Sequence, residues 1–339
     1  MNNIKKNKRF EWFASGNAPL LFPTELVTGG FLFDDLTKVN IPESSPFATA
    51  WGKSVSMHLL PDNHHPVPKF IFIIWFSMVE SKFYAVADEL PQEKIEALLA
   101  EKDKNTKKPK YDTLIAGMAP YGNLAIWLSG NGMTTEAAWL QGKEIPMEMK
   151  DFAPKSKLTK EEYAKKALAD CKEAYRNFNK NGLPDPMLFE RYMQKFNYRI
   201  TPTFENEETI LEGIEMCYYN GELNTTADSA EYAENAMRAK PSKIVLKWSD
   251  GKKQYNGYFW TNEHKIVETF LKFYEMDAQE EGNFIIEVKA SHRQFRFSLQ
   301  NSNASVEIPV EDMQYIIFKN KFEFHRSANY SKPPQGWRN

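Results

Sequence analysis

Two cysteines in 339 residues, Cys171 and Cys217, are too few for a disulfide scaffold, and neither is near the N-terminus where a lipid would attach. Long apolar runs are missing as well. The longest, Phe70 to Phe76, is seven residues and stops at Ser77, whereas a membrane-spanning helix needs about 20. No charge sign dominates either: 43 Lys and Arg against 45 Asp and Glu leave a net of -2, so no global field drives sequence-independent binding to nucleic acid or an anionic membrane. Lys5, Lys6, Lys8 and Arg9 lead straight into Phe10, Glu11, Trp12 and Phe13, without the apolar stretch of a secretory signal. The expectation is a reduced, cytoplasmic protein with no nucleic-acid partner and no membrane insertion.

Signatures of common chemistries are missing too. There is no Gly-x-Ser-x-Gly elbow, no His-Glu-x-x-His, no phosphate loop ending in Gly-Lys-Ser/Thr and no dinucleotide Gly-x-Gly-x-x-Gly. Ser129-Gly130-Asn131-Gly132 follows a strand with no helix after it, and so reads as a hairpin turn. His58, Asp62, His64 and His65 offer metal-ligand types within eight residues. Adjacent His64 and His65 cannot face one way on a strand, however, and Pro61, Pro66 and Pro68 mark a loop. No metal and no cofactor is expected. Glu80 follows the apolar Phe70–Phe76 run, where a desolvated carboxyl could serve as a general acid, but that role needs a second group in reach. The sequence supplies none, so Glu80 reads as a strand-end carboxylate paired with Lys82 or facing water, and the chain as a non-enzyme.

What the sequence has in quantity is aromatic residues: 24 Phe, 15 Tyr and 8 Trp, 14% of the chain. Such side chains favour pleated, half-buried surfaces and dominate both cores and interfaces, so a β-rich core absorbs most of them and a recognition face the remainder. Trp51, Glu80, Tyr121, Trp139 and Trp260 are the candidate ligand- or partner-binding residues.

Hydrophobic period organises the chain. Phe22 to Phe33 reads as strand with a bulge or turn at Gly29-Gly30, Trp51 to Leu60 as extended, and Lys69 to Ser77 as a buried strand. Pro91 opens a helix with Ile95, Leu98 and Leu99 on one stripe, and a hairpin follows around Pro120-Tyr121-Gly122. From about Asp151 the period changes to 3.6. Thr159 with Glu162 forms a capping box for a helix running to Asn181-Gly182, and Asp185-Pro186 caps a second helix carrying Phe189, Tyr192, Met193 and Phe196, which together suggest a helical hairpin. Strand character then returns at Ile210–Tyr219, Ile244–Trp248, Phe284–Ala290, Phe295–Gln300 and Tyr315–Phe324, with a helix at Asn262–Glu275.

Element order recurs. Pro68-Lys69-Phe70-Ile71 leading to Trp75 is matched by Pro241-Ser242-Lys243-Ile244 leading to Trp248, and Ile95 lies 20 residues after the first Trp as Ile266 lies 18 after the second. The turns at Tyr121-Gly122 and Ser291-His292 follow in the same place. The fold class expected is α+β: two mainly antiparallel β modules, residues 1–150 and 201–339, each with a helix, and an inserted helical hairpin at 151–200.

Several of these positions resemble a known family. The Phe22-Pro23 start with Gly30-x-Phe, Trp51-Gly52, the Pro68 strand ending in Trp75-x-Ser77, Glu80-x-Lys82-Phe83-Tyr84, Leu90-Pro91 with Ile95, and Gly117-x-x-Pro120-x-Gly122 ending in Trp127-Leu128-Ser129-Gly130 are similar to the bacterial domain of unknown function family 2931. The resemblance is clearest over Phe10 to Lys143. It implies no assigned activity or catalytic residue. Relatives that look like lipoproteins, some beside secreted antibacterial lipase effectors, imply immunity or effector binding, although this chain departs from them in having no signal or lipid-attachment cysteine. A non-catalytic protein-binding module with a protein partner, a toxin among the candidates, is therefore expected. The alternative is a protein that binds carbohydrate or another small ligand, since exposed rings beside polar groups suit sugars.

Overall fold

The computed structural model describes residues 8–43, 46–55, 63–104, 106–226, 230–276 and 281–331. It is a mixed α+β chain of mostly antiparallel sheets with several short helices. Two compact units divide at Arg191 and Tyr192.

In the first unit, one sheet has the order Lys143–Ile145, Lys82–Glu89, Phe70–Ser77, Thr24–Leu32, Lys38–Asn40, all antiparallel. A second set begins with Phe13–Asn17 parallel to Thr113–Met118 and continues antiparallel through Asn123–Gly130 and Met133–Gln141. Apolar side chains of both merge into one core containing Trp12, Phe31, Phe47, Ile73, Trp75, Leu114, Leu124 and Ile126, which Ile95, Leu98 and Leu99 of the helix Gln92–Ala100 complete. Close packing explains Gly117. A Cβ there would lie 2.2 Å from the ring of the buried Trp127, closer than any side chain tolerates.

The second unit follows the same path. Leu223–Thr226, Ile210–Tyr218, Pro241–Ser249, Gln254–Trp260, Gln314–Lys319 and Phe322–Arg326 form an antiparallel series. Phe196–Phe204 pairs in parallel with Gly282–Val288, which continues antiparallel to Phe295–Gln300 and Ser305–Ile308. Each unit thus has an early strand that its fifth main strand later joins in parallel, and each places a hairpin, a helix and a second hairpin in that order. The helix here is Glu263–Met276, with Ile266, Phe270 and Phe273 in the core.

Several sequence expectations change. Gly29-Gly30 makes no turn: the strand Thr24–Leu32 runs through it, and its irregularity lies between Leu26 and Thr28. The glycines are there for close approach, because a Cβ on Gly29 would meet Ile73 at 2.8 Å and one on Gly30 the Val39 carbonyl at 2.8 Å. Trp51 sits in a turn rather than an extended run, and 56–60 lie outside the described residues. The expected helix from Thr159 keeps its capping box but breaks at Cys171 (φ −93°, ψ 76°) into Lys160–Asp170 and Lys172–Asn181. Packing thins at that break: Ala164 and Leu168 are buried before it, only Ala174 after it, and Tyr175 faces solvent. Phe196 starts a strand instead of ending a helix, because Phe196, Tyr198 and Ile200 alternate into the core. Tyr315–Phe324 is two strands, turned at Asn320 and Lys321, both with positive φ.

Candidate functional site

The hairpin of Phe70–Ser77 and Lys82–Glu89 places Trp75 opposite Tyr84, with ring centroids 5.7 Å apart. Its turn carries Glu80, half-buried, and three donors converge on that one carboxylate. Ser77 Oγ donates to Oε2 at 2.7 Å, Tyr84 OH to Oε1 at 2.7 Å, and the backbone N–H of Tyr121 to Oε2 at 3.0 Å. Burial and then the Glu80 bond push the Tyr84 hydroxyl far above the usual phenol range, so it stays a donor. Lys82 does not pair with Glu80. Its ammonium lies 2.7 Å from Glu144 on the neighbouring strand, a bond that raises the lysine pKa.

Tyr121 completes the arrangement from the second hairpin. It is held at φ 61°, a left-handed conformation that a tyrosine adopts at a cost, and Gly122 follows at φ 77°. Two bonds fix it there: its N–H to Glu80 and its OH to the Pro184 carbonyl at 2.8 Å. The Gln141 amide also donates to its carbonyl at 2.6 Å. Glu80 and Tyr121, singled out separately in the sequence, are therefore neighbours.

The other candidates lie elsewhere. Trp51 packs edge-on against Trp127 at 4.6 Å and Phe189 at 5.5 Å, and its buried indole N–H has no hydrogen-bond partner among the described residues. Trp139 is half-buried on Met133–Gln141, opposite Ala125. Trp260, in the second unit, is 7% exposed and stacks near Tyr258 and Tyr330. Of the histidine group, His58 and Asp62 lie outside the described residues, while His65 rests against Trp12 and its neighbour His64 is exposed. Cys217 is no ready nucleophile, since burial pushes its thiol up to about 12.

The second unit repeats the Glu80 arrangement with different residues. Trp248 lies opposite Tyr255, stacked at 5.5 Å, and the turn between their strands carries Asp250. Tyr255 OH donates to Asp250 Oδ2 at 3.0 Å, and the backbone N–H groups of Lys252 and Lys253 donate to Oδ1. His292 stands where Tyr121 does, in the turn of the next hairpin, and also at positive φ, 54°. Trp248 Nε1 donates to His292 Nδ1 at 3.3 Å, and His292 Nε2 lies 3.8 Å from Asp250. The sequence aligns Trp75 with Trp248 and the turn at Tyr121-Gly122 with that at Ser291-His292, but that reading includes neither Asp250 nor Tyr255 and takes His292 only as a turn residue. The signal was available: in both hairpins an acid and then a tyrosine follow the tryptophan.

This chemistry makes His292 a proton-sensitive joint. An Nδ1 that accepts from Trp248 must be unprotonated, and burial, opposed by Asp250 and aided by Lys319, lowers its pKa from 6.5. The unfolded chain then binds the proton more tightly than the folded one. Native stability is accordingly constant well above pH 6.5, falls as pH drops through 6.5 toward the lowered folded pKa, and levels off below it. Urea midpoints measured from pH 8 to 5 should show that slope in the wild type and a shallower one in His292→Asn, which keeps the left-handed turn; parallel profiles would rule it out.

Glu80 and Asp250 each accept three hydrogen bonds, which tie their turns together. Among the described residues no group of three or more His, Cys, Asp or Glu is placed to hold a metal ion. No helix among them is long and apolar enough to cross a membrane.

The class these features define is a mostly antiparallel α+β protein whose two units carry equivalent Trp–Tyr–acid clasps. The chain belongs to the family of proteins of unknown function DUF2931, whose model matches residues 1–184. That span includes Glu80, Tyr121 and the Pro184 contact. No curated protein and no solved structure matches the chain.

Proposed function

We propose that the chain is a non-catalytic protein-binding module whose partner docks on the first unit around Tyr121. The observation that carries this is a half-exposed tyrosine locked by Glu80 and Pro184 beside two uncovered apolar side chains, Leu183 at 48% and Met187 at 49% exposure. A rigid aromatic ring rimmed by exposed apolar groups is the usual make-up of an interface hot spot, because little side-chain entropy is lost on binding. Asp185, between them in sequence, has its carboxyl held below the ordinary value by the Met187 N–H and by Arg191, so the rim carries an ionised Asp185–Arg191 pair. The partner class is a secreted antibacterial effector, and protection would come from occluding it.

Co-purification with an effector encoded beside the gene tests this directly. Tyr121→Ala and Met187→Glu should each weaken the complex by about 30-fold or more, the scale of a hot-spot residue, while leaving the melting temperature within a few degrees of wild type. A complex untouched by both substitutions would move the interface elsewhere, and failure to bind or neutralise the effector would end the immunity proposal.

A further inference from the structure

The second unit contains a polar pocket that the protein-docking proposal does not use. It has a volume of about 480 Å³, within the roughly 300–1,000 Å³ of small-molecule sites. Its floor is a row across three strands. Arg199 is in register with Asn283, and Asn283 with Gln300. Their sequence neighbours Tyr198, Ile200, Phe284 and Leu299 are buried, so strand alternation turns the three polar side chains away from the core and toward the pocket.

The hydrogen bonds already made determine what is left to offer. The Asn283 carbonyl oxygen accepts from Thr201 Oγ1 at 2.7 Å, which leaves its NH2 as donor. Gln300 gives its NH2 to Ser298 at 2.8 Å, which leaves its carbonyl as acceptor. Asn301 Oδ1 is held by the N–H groups of Asn303 and Ala304, and its Nδ2 is buried without a partner among the described residues. Asn235 donates to Glu281, and its own Oδ1 is buried without a partner among the described residues. Arg199 is exposed and its guanidinium has no partner among the described residues. Buried amide groups left unpaired are rare because each carries its full desolvation penalty.

We propose that this pocket binds a hydroxyl-rich carboxylate of monosaccharide size, a sugar acid. Interleaved amide donors and acceptors match vicinal hydroxyl groups, each of which both donates and accepts, and the free guanidinium matches a carboxylate through its planar fork. No aromatic ring lines the pocket, so recognition rests on polar groups and not on stacking against an apolar sugar face. Glu281 on the lining is engaged by Asn235, so the Arg199 guanidinium, without an ion-pair partner among the described residues, favours the acid over the neutral sugar.

The test is calorimetric titration of the full chain with glucuronate, galacturonate and gluconate, with glucose as the neutral comparison. Saturable binding of at least one acid is expected, with glucose at least about 10-fold weaker, the share of one charge-assisted hydrogen bond. Arg199→Gln, an exposed substitution that leaves the fold alone, should erase that preference, and Asn283→Ala should weaken the acid further. No saturation by any of the three acids up to about 20 mM, where even a weak millimolar site would fill, would overturn the proposal. So would equal binding of glucose and acid, or an Arg199→Gln protein that binds the acid as wild type does.

Discussion

Replacing Glu80 with alanine should destabilise the first unit by about 3 kcal/mol, because one truncation strands three donors at once. Ser77 is fully buried and Tyr84 nearly so, so neither hydroxyl regains a full hydrogen bond to water when the carboxylate goes. The Tyr121 N–H also loses its acceptor, and with it one of the two bonds that hold a tyrosine in left-handed conformation. Hydrogen bonds to a charged acceptor are each worth about 1.5–3 kcal/mol, but donors sharing one carboxylate are not additive, which keeps the total well below the sum of the three. Glu80→Gln should be milder: the amide oxygen still accepts, and its NH2 can donate to the Tyr84 oxygen once that hydroxyl rotates. Urea unfolding followed by tryptophan fluorescence reads the difference, since Trp75 sits against Tyr84. An alanine variant within about 0.5 kcal/mol of wild type, the range of an ordinary surface substitution, would mean that the clasp is ornamental.

The second unit provides an internal control. Asp250 also gathers three donors, two of them backbone N–H groups within its own turn. Those can turn to water once the turn loosens, whereas Ser77 and Tyr84 are buried in place. Asp250→Ala should therefore be the less damaging change, although the two carboxylates occupy equivalent places. The two clasps also differ in what stands across from the acid: Glu80 meets the Tyr121 N–H, while Asp250 faces the His292 imidazole.

Local pattern made much of the fold legible. The run Phe70–Phe76 and the stripe Ile95, Leu98, Leu99 can each be read within a dozen residues, and both elements form where they are read. A hairpin, a helix and a second hairpin follow one another in each unit, in the order that the matched tryptophans suggest. Phe196 shows where local reading fails: its spacing from Phe189 and Tyr192 suits a helix, but pairing in parallel with Gly282–Val288 imposes the period of a strand. Tertiary pairing overrides a short helical pattern. The site was half legible for a related reason. Glu80 stood out by following a buried strand, but its partner Tyr121 is 41 residues away, and no spacing rule connects them. The pocket beside Arg199 was invisible altogether, since its members come from three strands and two turns.

Phe189→Ala should have the largest local effect in the first unit. Phe189 is 1% exposed and is the one buried side chain of the helix Leu188–Met193, held edge-on by Phe22 at 5.8 Å and Trp51 at 5.5 Å. Truncating a buried phenylalanine costs about 3–5 kcal/mol. A six-residue helix has no stability of its own, because isolated helices shorter than about 12 residues are marginal in water. The exposed Arg191–Asp185 pair adds little to hold it. The expected result is therefore local detachment: residues 183–191 lose hydrogen-exchange protection, while the strands Thr113–Met118 and Asn123–Gly130 keep theirs. Detachment also removes the Pro184 carbonyl from Tyr121 and scatters Leu183 and Met187, so partner affinity should fall even though no contacting residue has changed. Tyr121→Ala should do the reverse, losing affinity with exchange in 183–191 nearly unchanged. Wild-type protection of 183–191 in Phe189→Ala would show that the segment is anchored by something other than this ring, and the docking surface would then need another support.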